Sequence, residues 1–208
     1  ATVSLSARAP GVFCVRKDFP ANNGKEFIEQ IRANPGKLTY GNDGVGGTLH
    51  LAAERIFDTL GVKARPIPFA GANENLNTLL TGATDIYAAS MAPILPYVKQ
   101  GSVKCLLVTS AERNKNLPNT DSLADLGIAA DETNVWRGVI APNGVPPDRM
   151  AKLEQAFEQA AKDPRFAQFA ESRGEEALGE DGNAERKLID EEYAALGKIV
   201  VKLGLQKK

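Results

Sequence analysis

The chain has 208 residues, 43% of them hydrophobic, and its 25 Lys and Arg nearly balance 26 Asp and Glu for a formal net charge of −1. That length builds one large domain or two small lobes with real cores, and without a Lys/Arg run it lacks the patch that nucleic acid or an anionic membrane surface demands. No apolar stretch reaches the ~20 residues that cross a bilayer, so the chain is expected not to be membrane-embedded.

In chain order, short β-branched runs predict strands at Gly11 to Val15, Leu38 to Gly41, Ala64 to Phe69, Asp85 to Ala89, Val103 to Thr109 and Val135 to Ala141. Helical patterns lie between them. Phe27, Ile28 and Ile31 share a face. Leu49, Ala52, Ala53, Ile56, Phe57 and Leu60 follow helical spacing and stop at Gly61, a C-cap position, and Leu76, Leu79 and Leu80 form a third face closed by Gly82. This alternation predicts an α/β fold with a parallel or mixed sheet and helices on both sides.

After Pro142 the texture turns helical. Met150, Leu153, Phe157 and Ala160 fall on one side of a helix with Pro147 near its first position; "PRFAQFAESRG" reads as a shorter helix; Ile189, Tyr193, Leu196 and Val200 form a stripe on the last one. The break between the two textures is placed near Trp136 to Pro142. The first residue, Ala1, is not Met, so the sequence reads as a processed or truncated product.

Two cysteines, Cys14 and Cys105, sit in apolar runs at spacings that match no metal pattern. They read as buried, unpaired thiols; export would make a Cys14 to Cys105 disulfide possible.

"YGNDGVGGTLHLAAERIF", Tyr40 to Phe57, raises the functional question. A dinucleotide fingerprint from Gly44 would need glycine where Leu49 stands, and a P-loop from Gly41 would need lysine where Gly47 stands. The shared physics survives: glycines let backbone N–H groups converge, and a helix beginning near Thr48 offers free amides and the positive end of its dipole, a place for a small carboxylate. A bare strand-to-helix turn that holds nothing is the alternative on residue type alone. A second junction, "PFAGANENLNTLL", repeats the pattern with Asn73 as expected N-cap, and both would open at the carboxyl ends of neighbouring strands.

Other candidates are weaker. His50, without a second His or Cys nearby, reads as a structural hydrogen-bonding residue, so no metal or cofactor is expected. It is also the sole histidine, no G-x-S-x-G elbow exists, and the glycine crevice shows no paired carboxylate or nucleophile and base. The chain is therefore not expected to be an enzyme. Trp136 reads as core or hinge packing, Arg137 as a surface or interlobe ion-pair residue, and Ser90 equally as a ligand contact or a helix cap. Charges on the last helix read as its solvated face.

The segments "RANPGKLTYGNDGVGGTLHLAAERI", "IPFAGANENLNTLLTGATDI", "PYVKQGSVKCLLVTSAERNKNLPNT" and "VWRGVIAPNGVPPDRMAKL" together resemble the substrate-binding receptors of tripartite tricarboxylate transporters, the Bordetella uptake gene (Bug) family, from about Val3 to the C-terminus. The resemblance implies a type II periplasmic-binding-protein fold of two lobes, a small organic acid as ligand, and membrane components of such a transporter as partners. It implies a ligand carboxylate held by backbone amides and waters at Gly41, Asn42, Asp43, Gly44, Val45, Gly46, Gly47 and Thr48 and at Ala70, Gly71, Ala72 and Asn73. One lobe would span residues 9–135, and residues 1–8 and 136–208 would give the remainder of the other, left incomplete because the family's upstream α/β region has no counterpart here. The second loop, often Tyr-Lys-Gly-Gly in the family, is Phe69, Ala70, Gly71, Ala72, and Ala89 and Ser90 stand where an acidic or amide residue is common, so ligand identity does not carry over. An effector domain of a transcriptional regulator and an enzyme acting on a small acid are the competing classes.

Overall fold

The structure, a computed structural model, describes residues 1–206. Its strands are β1 (Thr2–Arg16), β2 (Thr39–Asn42), β3 (Arg65–Pro68), β4 (Ile86–Ser90), β5 (Val103–Val108), β6 (Asn134–Ile140) and β7 (Glu176–Asp181). Its helices are α1 (Gly24–Ala33), α2 (Thr48–Thr59), α3 (Ala72–Thr81), α4 (Leu95–Lys99), α5 (Pro147–Ala161), α6 (Pro164–Ser172) and α7 (Gly182–Lys202). The sheet runs β3-β2-β4-β1-β5, with β6 and β7 also paired to β1. β2 is parallel to β3 and β4, whereas β1 is antiparallel to β4, β5 and β7, so the sheet is mixed.

The chain divides into two compact units, Pro10–Asn134 with the residues from Ile199 on, and Ala1–Ala9 with Val135–Lys198. β1 serves both. Its first half pairs with β7 through Ser4 to Arg8, and its second half pairs with β4 from Gly11. Pro10, which has no N–H to give a ladder, falls between those two stretches. That proline is why the sequence pattern reveals only the second half.

The larger unit buries the apolar faces expected from spacing. Phe27 and Ile31 of α1, Ala52, Ala53, Ile56 and Phe57 of α2, and Phe13, Val15, Tyr40 and Ile86 of the sheet are all buried. The Phe57 ring stands edge-on to Tyr40 at 5.5 Å and tilted to Phe13 at 5.6 Å. Each such side chain contributes roughly 1.5–3 kcal/mol by leaving water, which fixes α2 against the sheet. α2 ends as the sequence predicts, Gly61 following with φ +63°, and α3 closes at Gly82 with φ +80°.

Cys14 and Cys105 are register partners on β1 and β5, and they form a disulfide. The expectation of unpaired thiols is therefore wrong. Two cysteines 91 residues apart in sequence gave no local sign of sharing a rung of the sheet.

In the smaller unit the apolar stripes are less covered than their spacing suggests. On α5, Met150 and Phe157 are half-buried but Leu153 and Ala160 are exposed, and on α7 Tyr193 is 83% exposed. Glu185, on the expected solvated helix, is instead fully buried and accepts the Val3 amide at 3.2 Å. Among the described residues no helix is long and apolar enough to cross a membrane.

Candidate functional site

β2 and β3 run parallel with Gly41 opposite Ile67 and Asn42 opposite Pro68, so the loops that follow them leave the same edge side by side. The Phe69 amide donates to the Asn42 carbonyl at 3.2 Å and ties the two loops together. β4 is parallel to β2 as well, which brings Ser90 to that edge. Gly41 to Thr48, Ala70 to Asn73 and Ser90 thus gather at the carboxyl ends of three neighbouring strands, the position where open α/β sheets bind ligands.

The glycines of the first loop serve different ends. Gly44 and Gly46 have φ of +107° and +76°, a region that side chains disfavour. Gly41 makes room instead: a Cβ there would overlap the amide of Asn75 and stand 2.9 Å from the Phe69 ring. A Cβ on Gly47, the N-cap of α2, would stand 2.5 Å from Asp43 Oδ1.

Asp43 corrects the expectation that the α2 N-terminus lies open to an outside anion. Its carboxylate accepts from the Leu49 amide at 3.2 Å and the His50 amide at 3.0 Å, filling that place with a charge the chain supplies itself. Gly44 N donates to Asn42 Oδ1, Gly46 N to His50 Nδ1 and Gly47 N to Gly44 O. Among the described residues the Val45 and Thr48 amides retain no partner. The loop is therefore a partly filled nest rather than an empty one.

The second loop is emptier. α3 begins at Ala72 with Gly71 as N-cap, so Asn73 is the second helical residue and not the cap that its residue type suggests. Glu74, three residues after the N-cap Gly71, reaches back to accept the Ala70 amide at 3.2 Å, one residue before the position a capping box would engage. Among the described residues the amides of Gly71, Ala72 and Asn73 have no partner. Ser90 lends its carbonyl to the Tyr87 hydroxyl at 2.6 Å and caps no helix, since α4 starts at Leu95. Burial raises the Tyr87 hydroxyl above its ordinary range.

His50 behaves as a structural residue. It is buried, its Nδ1 accepts from Gly46, which assigns its proton to Nε2, and its ring lies 6.3 Å from Tyr40 at 18°. The Tyr40 hydroxyl donates to Glu54 at 2.5 Å, and burial first, then the Glu54 charge, holds that hydroxyl protonated. Because Tyr40 faces α2 and the adjacent Gly41 faces Asn75 of α3, the two helices lie on opposite faces of β2. Among the described residues no cluster of His, Cys, Asp and Glu could hold a metal ion.

Sequence reasoning placed Asn42 in the first loop but missed Asn75. Asn42 and Asn75 are both 0% exposed; among the described residues Asn42 Nδ2 and both polar atoms of the Asn75 side chain lack a partner. Asn75 lies four residues before Leu79 on the buried stripe of α3, and a polar residue in that register is the signal that could have found it.

In the smaller unit, the Trp136 indole donates to Glu192 at 2.8 Å, and Arg137 holds Glu175 through two nitrogens at 2.9 and 3.1 Å. Arg137, Arg173, Glu175 and Phe169 line a hollow of about 400 Å³. Both guanidiniums already pair with Glu175, so the hollow offers no free cation for an acid.

The model of the tripartite tricarboxylate transporter family receptor (TctC) matches residues 1–205. The chain belongs to that family. A UPF0065 protein of Bordetella pertussis is 32% identical over 198 residues, covering 95% of this chain and 61% of the relative. A solved periplasmic transporter is 27% identical with TM-score 0.86, covering 97% of this chain and 67% of that one. An R. palustris protein solved with adipate is 25% identical with TM-score 0.85, covering 98% and 68%. The chain thus spans about three-fifths of the length of the curated relatives it matches.

Proposed function

We propose that the chain is the greater part of a periplasmic solute receptor that binds a small organic carboxylate, without turnover, for hand-over to the membrane components of a tripartite tricarboxylate-type transporter. The observation that carries this reading is the pair of strand-to-helix loops at one sheet edge, with the amides of Val45, Thr48, Gly71, Ala72 and Asn73 unpartnered among the described residues. Such amides at a helix N-terminus suit a carboxylate, and Ser90 at the same edge offers a hydroxyl beside them. Asn42 and Asp43 shape the first loop rather than meet the ligand directly. Membership of a receptor family, and a relative solved with adipate, support the ligand class. The Cys14 to Cys105 disulfide supports an oxidising compartment such as the periplasm.

The test is a thermal-shift screen of the full-length protein against mono-, di- and tricarboxylates. The reading expects concentration-dependent stabilisation by at least one acid, because a ligand that binds the native state alone raises the melting temperature. Absence of stabilisation by every acid contradicts it.

A further inference from the structure

The sequence holds two Asn-Gly pairs, Asn23-Gly24 and Asn143-Gly144, and the fold treats them in opposite ways. In such a pair the side-chain amide carbon and the next backbone nitrogen meet with little hindrance, because glycine brings no Cβ and turns freely. Whether they react depends on how firmly the fold holds the two groups apart.

Asn23-Gly24 is held at every point. Asn23 caps α1, its Oδ1 accepting from the Glu26 amide at 2.8 Å and its Nδ2 donating to Glu26 Oε1 at 2.9 Å. The Gly24 nitrogen donates to Asp121 Oδ2 at 2.8 Å. Gly24 is buried, and a Cβ there would stand 3.1 Å from both the Leu106 carbonyl oxygen and the Asp121 side chain, so the backbone has no room to turn.

Asn143-Gly144 lies in the turn from β6 to α5, and both residues are exposed. Gly144 has φ +88°, a Cβ there would meet nothing within 4 Å, and its nitrogen has no acceptor among the described residues. Asn143 Oδ1 accepts from the Ala1 ammonium at 3.3 Å, while its Nδ2 has no partner among the described residues. The nucleophile, the leaving group and the space for rotation are all free.

We infer that Asn143 is a site of spontaneous covalent modification, deamidation through a cyclic imide, from which Asn23 is protected by the fold. The Gly144 nitrogen forms a bond to Asn143 Cγ, the Cγ–Nδ2 bond breaks, and ammonia leaves with the former backbone amide proton. Water then opens the ring at either carbonyl, giving aspartate or isoaspartate at that position. The product carries a new negative charge between β6 and α5 and, as isoaspartate, an extra backbone carbon.

Ageing of the native protein at mildly alkaline pH, followed by acidic-pH proteolysis and peptide mass spectrometry, tests this. The mass gain of exchanging NH2 for OH is expected at Asn143 at least about tenfold faster than at Asn23, which has to wait for local opening of the α1 start. In urea the two rates are expected to come within a fewfold of each other. Native rates at Asn23 that match or exceed those at Asn143 overturn the inference, as does a rate difference that persists in full when the protein is unfolded. Asn143→Gln is expected to remove the main acidic species that ageing produces on ion exchange, and its persistence in that variant places the modification elsewhere and overturns the inference.

Discussion

The side-chain amide of Asn75 lies against the Cα of Gly41, in the space a Cβ would need. Gly41→Ala therefore forces either α3 or β2 to move and is expected to cost about 1–3 kcal/mol, as overpacking does. Because both polar atoms of the Asn75 side chain lack partners among the described residues, removing them relieves an unmet desolvation cost. The double variant Gly41→Ala/Asn75→Ala is accordingly expected to be more stable than Gly41→Ala alone. Urea denaturation of the two variants checks this, and a double variant less stable than the single one contradicts the packing relationship.

Asp43 is expected to act as a helix cap from outside the helix. Asp43→Ala leaves the Leu49 and His50 amides without their acceptor and should lose about 1 kcal/mol, whereas Asp43→Asn should keep most of that. Equal losses in the two variants, measured by chemical denaturation, would show that charge rather than hydrogen bonding does the capping.

The disulfide closes a loop between residues 91 apart in sequence. The variant Cys14→Ala/Cys105→Ala is expected to lose about 2–5 kcal/mol of stability. Intact mass under non-reducing conditions should fall short of the reduced mass by the two thiol hydrogens, and free thiols on the oxidised, unfolded protein would contradict the pairing.

Glu185 gives a pH dependence of known sign. Burial raises its carboxyl above the ordinary glutamate value, while the Val3 and Ser4 amides act in the opposite direction. Between the unfolded and the raised folded value the native state binds more protons than the unfolded state, so this residue makes stability fall as pH rises through that window. Glu185→Gln is expected to flatten that slope and to stabilise the protein above it. Denaturation midpoints of both proteins across the acidic to neutral range supply the comparison, and parallel curves would contradict the assignment.

Where periodicity and burial coincide, the sequence was readable. The α2 stripe from Leu49 to Phe57 and its stop at Gly61 match the structure because one apolar face and one positive-φ glycine determine both. β7 escaped notice because Glu176 to Asp181 has no β-branched residue and is half acidic; its order comes from the Ser4 to Arg8 ladder, which no local pattern announces. At the site, glycine spacing located the loops, but the role of Asp43 depended on a carboxylate folding back across Gly47 to amides six and seven residues on. A helix N-cap signature looks one to three residues from the helix start, so it points to Asn73 in the second loop and overlooks Asp43 in the first.

The central claim is that backbone amides at the ends of β2 and β3 hold the acid. Amide NMR of the full-length protein titrated with its tightest-binding carboxylate tests it most directly. The account predicts that the largest shifts fall on Val45, Thr48, Gly71, Ala72 and Asn73. Shifts concentrated around Arg137, Phe169 and Arg173, with those five amides unmoved, would contradict it.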